Sequence, residues 1–315
     1  MAESRLAVVA ALAANLAIAL LKLVAGLASA SASMLAEAAH SASDVGNQVL
    51  LLMGIARSSR PPSPAHPFGT GKAAYFWPFM VAILLFGVAG AYSLFEGVHK
   101  LADPHPVGDV TWSLAVLGGA FALESGSLLV AVRQTRRAAR NRGVESVRQF
   151  LEENRDATLL TILVEDTLAL IGLPIAALAL VLAKLTGEPA WDAGGSLVIG
   201  AILMGFAVFL ANEVRLLLLG RGLSERDAAR AMELLAAEPA VRAVKAMRTM
   251  YLGPDAVLLG AEVEMRPDLA GHEVTAALAR AEKRLTEAIP VLRFVFLEPQ
   301  GVGTPEPKVA HGHSP

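Results

Sequence analysis

The segment MLAEAAHSASDVGNQVLLLMG, residues 34–54, is apolar at both ends and carries Glu37, His40, Asp44 and Asn47 between them. On a helix turning about 100° per residue, these four side chains fall within an arc of about 80°. His40 and Asp44 are i,i+4 neighbours, roughly 6 Å apart along the axis, so both can ligate one ion. A second acidic pair, Glu165 and Asp166, lies in LVEDTLALIG, residues 163–172. Adjacent helical residues point about 100° apart, so the two need not serve one site. Neighbouring carboxylates inside an apolar segment repel, and a bound cation relieves that cost. His40, Asp44, Asp166 and Glu165 make an N/O donor set suited to zinc, cobalt, manganese or iron(II). The competing explanation is a polar stripe that joins helices through hydrogen bonds. Four polar groups on one face, a His and two acids among them, favour the ion. Glu37 and Asn47 are then expected to line the path or orient the ligands.

Other polar residues give weaker signals. Glu124 and Glu96, in the fourth and third apolar runs, can line a path or pair with a basic residue. Asp192 is expected to N-cap the sixth run, and Asp156 the fifth. His66, in PAHPFGTGK, is expected to order a Pro/Gly-rich loop. His272 reads as a cap or surface residue, and His311 and His313 as a weak pair in the tail.

These residues need elements to hold them, and the composition says where. The chain has 315 residues, 54% hydrophobic, with only 18% charged. Soluble domains average about 25% charged, and the mean hydropathy here is +0.51. So much apolar surface calls for a lipid bilayer as solvent. There is no cysteine, which excludes disulfides and thiolate metal sites. A net charge of −2 gives no reason to expect a nucleic-acid partner. No HExxH-type pair is present, and two helices with one His make a poor zinc-hydrolase set, so a metal-dependent hydrolase is disfavoured; the chain is not expected to be an enzyme. No cleavable signal peptide is evident, and the first run, from Leu6, reads as a span.

Six apolar runs near 6–30, 33–56, 74–100, 110–133, 157–185 and 191–220 each reach the roughly 20 residues a helix needs to cross a membrane. The connection at 133–156 carries Arg133, Arg136, Arg137, Arg140, Arg142, Arg148 and Arg155. Arg57, Arg60 and Lys72 follow the second run, and Arg215, Arg221 and Arg226 mark the end of the sixth. The positive-inside rule then puts both termini in the cytoplasm. Heavy use of Ala, Leu and Gly suggests a GC-rich bacterial source and hence its plasma membrane. After residue 220 the pattern changes. A helix at 224–237, strands at 241–252 and 256–266, a helix at 271–288 and a strand at 291–298 predict a small α+β domain. The expected architecture is therefore an all-α six-helix transmembrane domain (1–220), a cytoplasmic αββαβ domain (221–300) and a disordered Pro/Gly-rich tail (301–315).

Several motifs together carry a resemblance. HxxxD in the second run, an Asp in the fifth, HPFGTGK, WDAGGSLVIGAIL and the closing VFLEP resemble the cation diffusion facilitator family over residues 6–300. MLAEAAHSASDVGNQVLLLMG, ESGSLLVAV and LVEDTLALIG are most similar to its zinc transporter nine branch. The resemblance implies a homodimer that exchanges a divalent cation, zinc or a related ion, for protons, with no resident cofactor. It also implies a ferredoxin- or metallochaperone-like dimerisation module at the carboxy terminus. It assigns His40, Asp44 and Asp166 as ligands, with Glu165 in place of a residue missing at Ile162. Where some members carry regulatory histidines, this chain has Lys245, Ala261 and Phe296, so no metal ligand is expected in that domain. A metal-binding scaffold or sensor that does not transport is the alternative function.

Overall fold

The computed structural model describes residues 2–141, 146 and 157–301. Arg142, Arg148, Arg155, Asp156 and the tail from residue 302, with His311 and His313, lie outside the described residues. The chain divides into two compact units, residues 1–60 with 72–218, and residues 61–71 with 219–315.

The first unit is helical: α1 (Ala2–Ser29), α2 (Ala32–Ser58), α3 (Ala73–Met80), α4 (Gly87–Ala102), α5 (Thr111–Asn141), α6 (Ala157–Thr186) and α7 (Ala190–Leu219). A π-helical stretch, Val81–Phe86, joins α3 to α4. Pro78 precedes it and has no N–H to give the helix, a common origin of such irregularity. Among the described residues, four helical stretches are long and apolar enough to cross a membrane: Ala73–Ala102, Thr111–Arg137, Leu160–Thr186 and Ala190–Leu219. Asn15–Ser29 is a shorter apolar stretch. The 27-residue α2 falls short on composition, because its middle carries Glu37, His40, Asp44 and Asn47. Those residues are buried while Leu52, Ile55, Val88, Phe95, Leu129 and Val130 are exposed. Polar groups inward and large apolar groups outward is the arrangement a lipid solvent favours.

α2 starts where Ser31 accepts from the Met34 N–H at 3.1 Å. Asp192, expected as the cap of its own helix, instead lies inside the first turn of α7, fully buried, and serves α2. Its carboxylate accepts from the Ser31 and Ser33 hydroxyls at 2.6 and 2.5 Å and from the Ala32 N–H at 2.6 Å. An anion at a helix N-terminus meets free N–H groups and the positive end of the dipole. The buried Lys100 ammonium of α4, 3.7 Å from Asp192, also donates to the Ala30 carbonyl. Ala30 is the only non-glycine with positive φ among the described residues. Sequence position suggested a local cap; the packing of α7 against the start of α2 makes it a tertiary one.

The second unit has α8 (Glu225–Ala236), β1 (Val241–Gly253), β2 (Ala256–Met265), α9 (Gly271–Ala288) and β3 (Leu292–Gln300), the αββαβ order read from the sequence. Ser224 caps α8 through the Asp227 N–H at 3.1 Å, and Glu273 reaches back to the Ala270 N–H at 2.7 Å. The sheet order is β1-β2-β3, with β1/β2 antiparallel and β2/β3 parallel. Val257, Leu259 and Val263 are buried on one face of β2, as are Ala231 and Leu235 of α8 and Ala277, Ala281 and Leu285 of α9. The i,i+4 spacing on the helices and i,i+2 spacing on the strand produce these apolar faces. The alternate residues of β2, Glu262 and Glu264, pair with Arg248 at 2.9 Å, and with Lys245 at 2.7 Å and Arg242 at 3.0 Å. The Lys245 hydrogen bond holds Glu264 below the usual carboxylate range.

The loop 61–71, which sequence reasoning left as a connection within the membrane domain, belongs to this second unit. Backbone hydrogen bonds between Ser63 and His66 and from the Gly69 N–H to the His66 carbonyl order it. Phe68 meets Phe294 of β3 edge-on, with ring centroids 5.2 Å apart. Gly71 lies so close to the β1–β2 turn that a Cβ there would stand 2.5 Å from the Leu252 carbonyl oxygen and 3.1 Å from the Gly253 Cα. Backbone cannot swing aside as a side chain does. Gly71→Ala is therefore expected to destabilise this unit by about 1–3 kcal/mol, an overpacking cost. Differential scanning calorimetry of the full chain checks it, and an unchanged lower-melting transition would contradict the tight approach.

Candidate metal-ion site

Four acidic residues from three helices wall one cavity of about 80 Å³. Asp44 comes from α2, Glu124 from α5, and Glu165 and Asp166 from α6; Asn15, Ser41, Gln48 and Ser127 complete its polar lining. Roughly 10–15 Å³ admits one water, so there is room for an ion with part of its hydration shell. Glu165 and Asp166 both reach the cavity although adjacent helical residues diverge, because it lies along the α5–α6 and α2–α6 contacts and both side chains border it.

Each carboxylate is held differently. Glu165 accepts a hydrogen bond from the Asn47 side-chain amide. Asp166 accepts one from the Ser127 hydroxyl at 3.0 Å. Asp44 stands 3.6 Å from His40, measured from Oδ1 to Nδ1. That buried Oδ1 has no hydrogen-bond partner. A buried acceptor left unmet costs about 1–3 kcal/mol, which a cation would recover. His40 sits behind Asp44 and does not border the cavity; Glu37 does not border it either. Glu37 pairs instead with Lys22 of α1 at 3.0 Å. Among the described residues, no three His, Asp or Glu side chains converge closely enough to hold a metal ion together. Asp44, Glu124, Glu165 and Asp166 thus meet at one cavity, His40 and Asn47 contact its walls, and Glu37 is linked to it only through Lys22, without a closed coordination shell.

Of the other acids noted in the sequence, Glu124 lines this cavity, Glu96 is partly exposed on α4, and Asp192 belongs to the α2 anchor already described. Sequence reasoning missed Lys22 and Ser127. Lys22 had a readable signal, a lone ammonium inside IALLKLVAGL; charged groups at such depth are seldom idle. Ser127 had none, since a serine within a span is ordinary.

A family model described as the cation efflux transmembrane domain matches residues 8–219. The chain belongs to the cation efflux family. The match covers every helix that contributes to the cavity, and it agrees with the cation diffusion facilitator motifs of the sequence. Relatives are similar over much of this chain. The mitochondrial proton-coupled zinc antiporter SLC30A9 of Xenopus laevis is 35% identical over 254 residues, 81% of this chain and 44% of that one. Its Homo sapiens counterpart is 37% identical over the same shares. Metal tolerance protein C4 of Arabidopsis thaliana is 30% identical over 280 residues, 89% of this chain and 61% of that one. The chain spans under half the length of the SLC30A9 relatives it matches. Family members of this kind are membrane transporters of cations, and this chain's helical domain has their apolar, membrane-spanning character.

Proposed function

We propose that this protein is a proton-coupled antiporter that exports a divalent cation, zinc or a related ion such as manganese, cobalt or iron(II), from the cytoplasm. The observation that carries this reading is the cavity walled by Asp44, Glu124, Glu165 and Asp166 within apolar helices. Clustered carboxylates in a low-dielectric setting repel one another strongly. Either a divalent cation or protons can discharge that repulsion. Because the two compete for the same oxygens, metal entry expels protons and protonation expels metal. Opening alternately to the two sides then couples the flows. Asp44, Asp166 and Glu165 supply the oxygens, and His40, beside Asp44 but outside the cavity in this structure, is the proposed nitrogen donor, with Asn47 and Ser127 orienting the carboxylates. His40 has the side chain whose ordinary pKa lies nearest working pH, which suits it to the proton step. The names of the SLC30A9 relatives support the ion and the coupling.

In this reading six helical segments cross the membrane, with both termini and the αββαβ domain in the cytoplasm. The arginines of the α5–α6 connection support that orientation. The protein works as a homodimer through its carboxy-terminal module, and a bacterial plasma membrane is the proposed location. No nucleic acid and no resident cofactor take part.

The test is metal uptake into proteoliposomes with an imposed pH gradient, with zinc, manganese, cobalt, iron(II) and cadmium run in parallel. Flux that rises with the gradient and stops when an ionophore collapses it is expected. Stoichiometric binding without flux would replace this reading with that of a metal-binding scaffold or sensor. Linear, gradient-independent flux would indicate a passive channel.

A further inference from the structure

Lys22 is a fully buried cation that the transport cycle above does not use. Its ammonium donates to Glu37 Oε2 at 3.0 Å and to Ser41 Oγ at 2.7 Å. Ser41 is itself part of the cavity wall, so the ammonium stands one hydroxyl away from the space between the carboxylates. Glu37 is fully buried too, and its other oxygen has no hydrogen-bond partner. That oxygen lies against Gly172 of α6, where a Cβ would collide with it. The absence of a side chain at Gly172 leaves room for the Glu37 carboxylate in this place. Lys22, Glu37 and Ser41 thus form a built triad between α1 and α2, in contact with α6, at the edge of the ion's cavity.

We infer that Lys22 is a positioning residue that sets how tightly the cavity holds its divalent cation, by balancing Glu37 and fixing Ser41. This rests on the transport reading, since it presumes that the cavity takes a cation. The pair is neutral as a whole, but each half alone is not. Without the ammonium, the Glu37 charge adds to the four cavity carboxylates, and a cation is held more tightly and released more slowly. Without the carboxylate, the ammonium stands unopposed beside the ion and repels it. The two single substitutions therefore act in opposite directions. A purely structural ion pair behaves otherwise, because breaking it from either side loosens the same packing and weakens binding both times.

The experiment is calorimetric titration of the full-length protein in lipid nanodiscs with zinc chloride, and separately with manganese chloride. Lys22→Met is expected to lower Kd by about tenfold or more, and Glu37→Gln to raise it by about as much, as opposite changes of one charge near a divalent ion require. In proteoliposomes Lys22→Met should also slow zinc flux at saturating zinc, because release becomes harder. Shifts in the same direction, or affinities unchanged in both variants, would overturn the inference. If melting curves show that Lys22→Met does not fold, Lys22→Gln takes its place: tighter binding than the wild type supports the inference, and unchanged or weaker binding overturns it. A wild type that binds neither ion overturns the transport reading itself, whereas wild-type binding with unmoved variants overturns only the role of Lys22.

Discussion

Asp44→Ala is expected to abolish cation flux while leaving the protein folded. Asp44 is the acid that joins the two halves of the site: it lines the cavity with Glu124, Glu165 and Asp166 and stands 3.6 Å from His40. Groups that merely orient metal ligands cost 10–100-fold when removed, so loss of a ligand should cut flux by roughly 100-fold or more. The fold should tolerate the change. Asp44 already carries a buried oxygen with no hydrogen-bond partner, and relief of repulsion among four clustered acids offsets the loss of its 3.6 Å approach to His40. The melting temperature of Asp44→Ala should therefore equal or exceed that of the wild type. Proteoliposome flux and thermal melts on the same preparation check both halves. Wild-type flux from Asp44→Ala would remove Asp44 from the site, and a marked drop in melting temperature would make it structural. His40→Ala is expected to lose flux in the same way. Glu165→Gln and Asp166→Asn, measured separately, assign the α6 ligand, since the one that binds metal should lose flux to the level of Asp44→Ala.

Asp192→Ala is expected to have the largest effect on stability. The carboxylate of Asp192 accepts two serine hydroxyls and backbone N–H groups at the start of α2 and faces the Lys100 ammonium. Its removal leaves Lys100, 2% exposed, without its carboxylate, and the first N–H groups of α2 without their acceptor. Stranding one member of a buried ion pair costs about 3–5 kcal/mol. The same change disturbs the entry of the helix that carries His40 and Asp44, so flux should fall along with stability. Adding Lys100→Met to Asp192→Ala should recover part of the loss, because no buried charge is then stranded. Denaturation of the single and double variants in one detergent tests this. A single variant as stable as the wild type would show that the helix junction is held by packing alone.

These two aspartates differ in how far the sequence exposed their places in the fold. Asp44 was legible because helical periodicity places it on a polar face with His40 inside an otherwise apolar run, and burying such a face is costly without a use. Asp192 read as a local cap because the first turn of a helix is where an aspartate usually serves its own N–H groups. Its partners are about 160 residues away, and no local pattern encodes a contact of that span.

By itself, the sequence determined the helices of the membrane unit, the αββαβ order of the second unit and most of the acids that line the cavity. These follow from periodicity, apolar run length and turn residues, which act over a few neighbours at a time. Only the tertiary structure decided that Glu165 and Asp166 both reach one cavity, that Glu37 pairs with Lys22, that Asp192 anchors α2, and that residues 61–71 join the carboxy-terminal unit. Each of these depends on which helix or strand packs beside which. Buried charges and close backbone approaches take their partners from distant elements, so their roles emerge only when the chain has folded.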